Sequence, residues 1–209
     1  MKVYLSPSNQ DGNKYAYGGT NEMEQCAKIA AAAEARLKAA GVEVLTAPTG
    51  QDMYKTIRQS NDWGADLHVC IHTNAGGGRG CEVYTYSGTK ERNRWAEPIY
   101  SAITGVLPTK GRGLKTADFA ELRGTRCPAV YCECEFHDLA ETARWITENT
   151  GTVGKAIADG ILKAEGIAPK PNKLYRVQAG AFSVRENAEA YLDRLKKAGF
   201  DGFITENDA

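Results

Sequence analysis

The chain has 209 residues, enough to bury one full core and leave room for a small appendage. Hydrophobic residues make up 42% of it and charged residues 25%, which is typical of a globular protein rather than a disordered one. The 26 basic and 26 acidic side chains cancel, and the chain has no apolar run long enough for a bilayer. We therefore expect no nucleic-acid partner and no membrane span.

The N-terminus reads MKVYLSPSNQ, so only three apolar residues precede Ser, Pro and Asn. This run is too short for the apolar region of a secretory signal. We therefore expect synthesis in the cytoplasm without a signal peptide.

Strand and helix patterns alternate along most of the chain. The first helix pattern has Asn21 and Glu24 as a capping-box start and Gly41 as its stop. Strands are predicted at 2–6, 42–48, 66–72, 81–86 and 128–136, and helices at 21–41, 52–63, 90–107 (disturbed at Pro98), 141–149 and 152–166. This alternation predicts an α/β fold, a twisted and largely parallel sheet with helices on both faces.

The composition changes after Gly166. Residues 167–173, IAPKPNK, hold two prolines and two lysines with little to bury, which is typical of a linker. Residues 174–209 then predict a short strand-helix-strand (βαβ) fragment, small for an independent core. We expect a main domain over 1–166, a linker over 167–173 and a C-terminal module over 174–209.

The six cysteines lie inside predicted helices and strands rather than in short loops. Without a signal peptide they are most simply reduced and packed as small hydrophobic residues. The alternative, metal ligation, is weakened at Cys132 and Cys134 because CEC lacks the two-residue spacer of structural zinc sites.

In a parallel sheet, reactive side chains at the carboxyl ends of the strands share one crevice. The candidates at such positions are Asn9, Gln10, Glu22, His72, Glu133 and Glu135. Each has a purely structural alternative, for example a carboxylate that complements a helix dipole. A histidine, a helix-start carboxylate and a strand-end carboxylate at one edge are nevertheless what a catalytic zinc site with a separate acid/base needs.

Two histidines fall in the strand DLHVCIH. His68 and His72 share a strand face, but four residues at about 3.3 Å each separate them by roughly 13 Å, so one metal ion cannot hold both. His72 lies at the crevice and is the functional candidate. His68 lies deeper, and we interpret it as a hydrogen-bonded core histidine.

The strand at the N-terminus and the segments NEMEQCAKIA, IHTNAGGGRGCEVYTY and PAVYCECEFHD, in this order along the chain, resemble the zinc-dependent N-acetylmuramoyl-L-alanine amidases of the amidase 3 family. The resemblance covers about residues 1–166. Residues 174–209 resemble the first half of a SPOR domain, a module that binds peptidoglycan.

The resemblance implies a zinc ion held by Glu22 and His72, with Glu133 as the acid/base; the role of Glu135 stays open. Relatives have a histidine as the first ligand, where this chain reads SPSNQ. The matching position is Asn9, or Gln10 if the loop slips by one residue. Either amide can ligate weakly, hold a water or cap the loop, and His137 is a further replacement candidate.

The resemblance also implies the reaction, which is cleavage of the amide between N-acetylmuramic acid and L-alanine in peptidoglycan. Acting on the cell wall after release by another route suits a phage endolysin or an amidase of mother-cell lysis. The alternative is a noncatalytic wall-binding protein with a degenerate site. The oligomeric state is not fixed by these motifs.

Overall fold

The structure, a computed structural model, describes residues 1–87, 94–168 and 177–206. Its strands are β1 (Lys2–Pro7), β2 (Glu43–Thr46), β3 (Leu67–Asn74), β4 (Glu82–Tyr86), β5 (Gly113–Ala117) and β6 (Ala129–Phe136). Its helices are α1 (Glu22–Ala39), α2 (Met53–Trp63), α3 (Ala96–Thr104), α4 (Ala120–Gly124), α5 (Ala140–Ala164) and α6 (Arg185–Lys197).

The strands form one sheet in the order β2-β1-β3-β6-β4-β5. Neighbouring strands run parallel except β4 and β6, which are antiparallel. Helices α1, α3 and α5 cover one face of the sheet, and α2 and α4 cover the other. This confirms the predicted α/β class.

The two faces of the sheet differ in chemistry because side chains alternate along each strand. The face under α1, α3 and α5 is apolar, and its fully buried strand residues include Val3, Leu5, Val69, Ile71 and Val130. The face under α2 and α4 is polar, and we call it the polar face; β1 and β3 give it Tyr4, Ser6, His68, Cys70 and His72. The polar and ionisable side chains of β1 and β3 therefore lie on one face of the sheet.

Helix α1 begins as its capping pattern predicts. The Asn21 side chain accepts a hydrogen bond from the Glu24 backbone N–H at 2.9 Å, which satisfies a free donor of the first turn. Glu22 is thereby held in the first turn, at the carboxyl edge of β1 and β3.

Helix α5 covers both of the helices predicted after β6, and a kink with non-helical backbone angles at Asn149 separates them where the first prediction ends, so the predicted break is confirmed. Three other elements differ from the sequence prediction. Helix α3 begins at Ala96, so Pro98 lies in its first turn, where no helical N–H is lost and no disturbance follows; residues 90–93 of that prediction lie outside the described residues. Strand β5 and helix α4 were not predicted, because five residues each are too few to show a period.

The predicted C-terminal βαβ fragment is wrong in part. Helix α6 (Arg185–Lys197) forms where the helix ENAEAYLDRLKKAG was predicted, one residue earlier at its start, but residues 177–183 and 200–206 form no strand. A strand needs a neighbouring ladder for its N–H and C=O groups, and the described part of this segment contains none. Residues 174–176, which belong to the first predicted strand, lie outside the described residues.

The chain divides into two compact units, Met1–Lys170 and Pro171–Ala209. The first contains the sheet and the whole buried core. In the second, α6 has no buried residue. Within the described ranges, every helix is too short or too polar to cross a bilayer.

Candidate active site

Glu22 and His72 meet at the carboxyl edge of the sheet although 50 positions separate them in the chain. His72 Nδ1 lies 2.8 Å from Glu22 Oε1, and both side chains are buried. The Thr73 backbone N–H also donates to Glu22 Oε1, at 3.3 Å. A carboxylate oxygen and an imidazole nitrogen thus lie close enough together to be two ligands of one metal ion.

Asn13 completes the surroundings of Glu22. Its side-chain Nδ2 donates to Glu22 Oε2 at 2.7 Å and to Gln10 Oε1 at 2.8 Å. Burial alone would raise the pKa of Glu22, yet hydrogen bonds from His72 and Asn13 outweigh it and hold that pKa below its usual value. Glu22 is therefore an ionised carboxylate. Asn13 was not among the predicted site residues, because its contact with Glu22 depends on the path of the loop between β1 and α1.

Glu133 projects from β6 beside this pair. It lies directly opposite His72 of β3 on one side and Glu82 of β4 on the other. Its Oε2 is buried and has no hydrogen-bond partner among the described residues. Burial raises the pKa of Glu133 to about 7, with further upward contributions from the charges of Glu22 and Glu82.

Beside His72, a cavity of about 620 Å³ opens between the end of β1, the start of α2 and the α4 segment. His72 stacks on Tyr131 in its wall, with ring centroids 4.3 Å apart. Stacking and the Glu22 hydrogen bond together hold the imidazole in one orientation.

The two candidates for the first ligand, Asn9 and Gln10, line the same cavity as His72. The Asn9 side-chain amide donates to the Gln51 carbonyl at 3.0 Å, and the Gln10 side chain accepts from Asn13. Both amides are exposed at the cavity rim, whereas Glu22 and His72 are buried.

His68 is buried and hydrogen-bonded, as predicted. Its Nδ1 lies 2.9 Å from Ser60 Oγ of α2, and its Nε2 lies 3.1 Å from Glu121 Oε1 of α4. The Ser6 hydroxyl donates to the same Glu121 oxygen. Glu121 carries no mark in the sequence, because nothing in a five-residue helix distinguishes its one buried carboxylate.

The remaining candidates have structural partners. Glu135 is fully buried and accepts from the backbone N–H groups of Gly80 and Phe136, which anchors the end of the glycine-rich loop. His137 is buried against Thr73, with Nδ1 3.0 Å from the Thr73 hydroxyl and the ring stacked on Tyr15. These contacts give His137 a packing role rather than that of a replacement ligand.

The donors at the edge fit a divalent cation. An ionised carboxylate and an imidazole already lie 2.8 Å apart, and such oxygen and nitrogen donors are ones that zinc accepts. The unpartnered Glu133 Oε2 is what an acid/base beside a reacting water requires. A three-ligand zinc site usually has a second imidazole, whereas the amides of Asn9 and Gln10 line the cavity beside His72 here.

Comparison with known proteins gives two domain families. The family described as N-acetylmuramoyl-L-alanine amidase (Amidase_3) matches residues 7–163, and the SPOR domain family matches residues 170–208.

Two curated relatives illustrate the similarity. The chain is 32% identical to N-acetylmuramoyl-L-alanine amidase CwlM of Bacillus licheniformis over 153 residues, which are 72% of this chain and 60% of that protein. It is 29% identical to the sporulation-specific N-acetylmuramoyl-L-alanine amidase of Bacillus subtilis over 219 aligned positions, which cover 100% of this chain and 86% of that protein.

Solved structures show the same fold. An N-acetylmuramoyl-L-alanine amidase from Clostridium difficile 630 superposes with a TM-score of 0.73 at 21% identity, covering 79% of this chain and 96% of that one. AmiC2 of Nostoc punctiforme superposes with a TM-score of 0.71 at 24% identity, covering 79% and 97%.

Proposed function

This chain belongs to the N-acetylmuramoyl-L-alanine amidase family, and we propose that it hydrolyses the amide between N-acetylmuramic acid and the L-alanine of the stem peptide in peptidoglycan. One observation carries the proposal: the Glu22–His72 pair lies at the same edge of the sheet as the buried Glu133 Oε2, which has no hydrogen-bond partner among the described residues. A metal-binding pair beside a carboxyl group with a raised pKa is the arrangement that metal-assisted amide hydrolysis needs.

The metal of this proposal is zinc, held by Glu22, His72 and the amide oxygen of Asn9 or Gln10. The donor chemistry of Glu22 and His72 supports this choice, and both amides line the cavity beside His72. When bound, zinc supplies Lewis acidity, which polarises the scissile carbonyl and makes water a nucleophile near neutral pH. A neutral amide is a weaker donor than imidazole, so we expect looser metal binding than in a site with two histidines.

The chain's own groups then handle the protons. Glu133 in its ionised form takes a proton from the attacking water at Oε2, the oxygen that has no partner among the described residues. It returns the proton to the departing amine of L-alanine. A carboxyl group with a pKa of about 7 suits both steps, because it gains and loses a proton readily at neutral pH.

The C-terminal unit fits the same substrate. Residues 170–208 match the SPOR domain family. SPOR domains bind glycan strands from which the peptides have been removed, and such strands are the product of this reaction. A tether of this kind raises the local concentration of enzyme on partly digested wall. We propose a catalytic domain over 1–166, a linker over 167–173 and a partial SPOR-like module over 174–209.

The biological setting of the proposal is wall hydrolysis in mother-cell lysis. The similarity to a sporulation-specific amidase extends over the whole chain, which favours this setting over phage-driven lysis.

The deciding experiment incubates the purified chain with isolated peptidoglycan, with and without added zinc, and identifies the products by mass spectrometry. We expect free stem peptides that begin with L-alanine, released only when zinc is present. Glu133→Gln should bind zinc normally and release none, whereas the exposed Glu141→Gln serves as a matched control with normal release. Wall that is bound but left intact would instead identify a noncatalytic binding protein.

A further inference from the structure

Three side chains with metal-binding atoms meet on the polar face, nearer the start of β3 than His72 is. His68 and Cys70 of β3 and Glu121 of α4 each offer one ligand atom, and these three atoms lie within 4.8 Å of one another. His68 and Cys70 are fully buried, and Glu121 is 6% exposed. The proposed hydrolysis uses none of them.

The donor types suit a borderline divalent cation. An imidazole nitrogen, a thiolate sulfur and a carboxylate oxygen are the groups with which proteins bind zinc and similar ions. Ligand atoms around a tetrahedral zinc ion lie about 3.5 Å apart. The three atoms therefore need to close by about 1.3 Å at most, and His68 Nε2 is already 3.1 Å from Glu121 Oε1.

The surroundings of His68 are those of a metal-binding histidine. Ser60 Oγ lies 2.9 Å from Nδ1 and so directs Nε2 toward Glu121. A partner on the far ring nitrogen is the usual means of orienting such a ligand. The Ser6 hydroxyl orients the carboxylate of Glu121 in the same way.

An ion has a route to this point. Ser6 and Glu121 both line the cavity of about 620 Å³, and α4, which carries Glu121, is only five residues long. The group is thus buried behind a short wall segment rather than deep in the apolar core. A solvent position on the cavity side would complete four-coordination.

We propose that His68, Cys70 and Glu121 form a second metal site, separate from the Glu22–His72 pair, for a divalent ion of the zinc class. On binding, the Cys70 thiol gives its proton to solvent and binds as the thiolate, and the ring proton of neutral His68 lies on Nδ1, beside Ser60 Oγ, so that Nε2 is free to ligate. The ion ties α4, one wall of the cavity, to the central strand β3. Cys70 is a free and fully buried cysteine, as predicted, and the proposal gives it a second role as a ligand.

The test is a titration of the metal-free full-length chain with Co²⁺ in a His72→Ala background, which disables the first site. Cobalt bound by a thiolate has a charge-transfer absorption in the near ultraviolet. We expect one Co²⁺ per chain with this absorption, its displacement by Zn²⁺, and its loss in Cys70→Ala. Cys134→Ala is the matched control, because Cys134 is a buried cysteine of the apolar core, away from the three residues, and it should keep the signal.

If Cys70→Ala does not fold by circular dichroism, His68→Gln decides instead, because it keeps the sulfur and should weaken Co²⁺ binding at least tenfold. No charge-transfer absorption in the parent, or an absorption that survives Cys70→Ala, overturns the proposal. In that case the group is a hydrogen-bonded network without a metal. The readout is independent of peptidoglycan hydrolysis.

Discussion

Glu133 lies in surroundings that disfavour its charge. Its pKa rises from 4.5 to about 7, chiefly through burial; His72 opposes the rise, and the charges of Glu22 and Glu82 add to it. The folded chain therefore holds this proton more tightly than the unfolded chain does. Stability should fall as pH rises from about 4.5 to about 7, by about 3 kcal/mol for this one group.

Glu133→Gln removes that titration. In metal-free protein, we expect the loss of unfolding free energy between about pH 4.5 and pH 8 to be about 3 kcal/mol smaller in the variant than in the parent. Urea unfolding at a series of pH values measures it. Parallel curves for the two proteins would mean that Glu133 ionises as freely as in water.

Asn13 holds Glu22 by donating to its Oε2. Asn13→Ala leaves that oxygen without its donor, so the carboxylate is less well oriented and zinc affinity should fall by about tenfold. Competition with a chromophoric chelator measures the affinity. Asn61→Ala, which removes an amide donor at the exposed side of α2, is the control and should leave zinc affinity unchanged.

A histidine at position 9 or 10 should strengthen zinc binding. If one of these residues stands where relatives carry the first histidine, then Asn9→His or Gln10→His should raise zinc affinity by about tenfold or more, since imidazole is a better donor than an amide. Isothermal titration of both variants identifies the position. Equal affinities in both variants and the parent would remove this loop from the metal site.

At the scale of elements, α1 and α5 approach closely at Gly154. A Cβ there would lie 2.2 Å from the Ile29 carbonyl oxygen and 2.9 Å from the Ala33 amide nitrogen, both backbone atoms. Gly154→Ala should therefore destabilise the chain by about 3 kcal/mol as the helices separate.

Gly151, three residues earlier in α5, is the matched control. A Cβ at Gly151 would have nothing within 4 Å, so Gly151→Ala should be neutral or stabilising by up to about 1 kcal/mol. Thermal unfolding of the two variants side by side gives the comparison. Equal effects of the two substitutions would show that the close approach of α1 and α5 does not restrict position 154.

Elements with a long local signal could be predicted, and short ones could not. Helix α1 was predicted because its cap at Asn21 and its stop at Gly41 lie in consecutive sequence. Strand β5 and helix α4 escaped because their five residues form only through tertiary contacts.

The same limit applies to the candidate site. Glu22, His72 and Glu133 could be proposed because each lies at the end of a predictable element. Asn13 and Glu121 could not be proposed, because Asn13 lies in a loop and Glu121 in a helix of five residues, and neither has a pattern that the sequence reveals.

At the scale of the whole molecule, the two units differ in what stabilises them. All residues of the apolar core belong to the first unit, and α6 has no buried residue. A fragment of residues 1–168 should therefore unfold within about 2 °C of the full chain. Calorimetry checks this, and a much lower midpoint for the fragment would mean that the C-terminal unit stabilises the first.

The polar face has a consequence for how the chain folds. Strand β3 is the central strand, with polar side chains on one side and apolar ones on the other. A shift of β3 by one residue against β1 or β6 would turn His68, Cys70 and His72 toward the apolar core. It would also turn Val69 and Ile71 out of that core and onto the polar face. The residues that we assign to metal chemistry thus also specify the correct strand register, so replacing them with leucine would invite misaligned, aggregation-prone sheets.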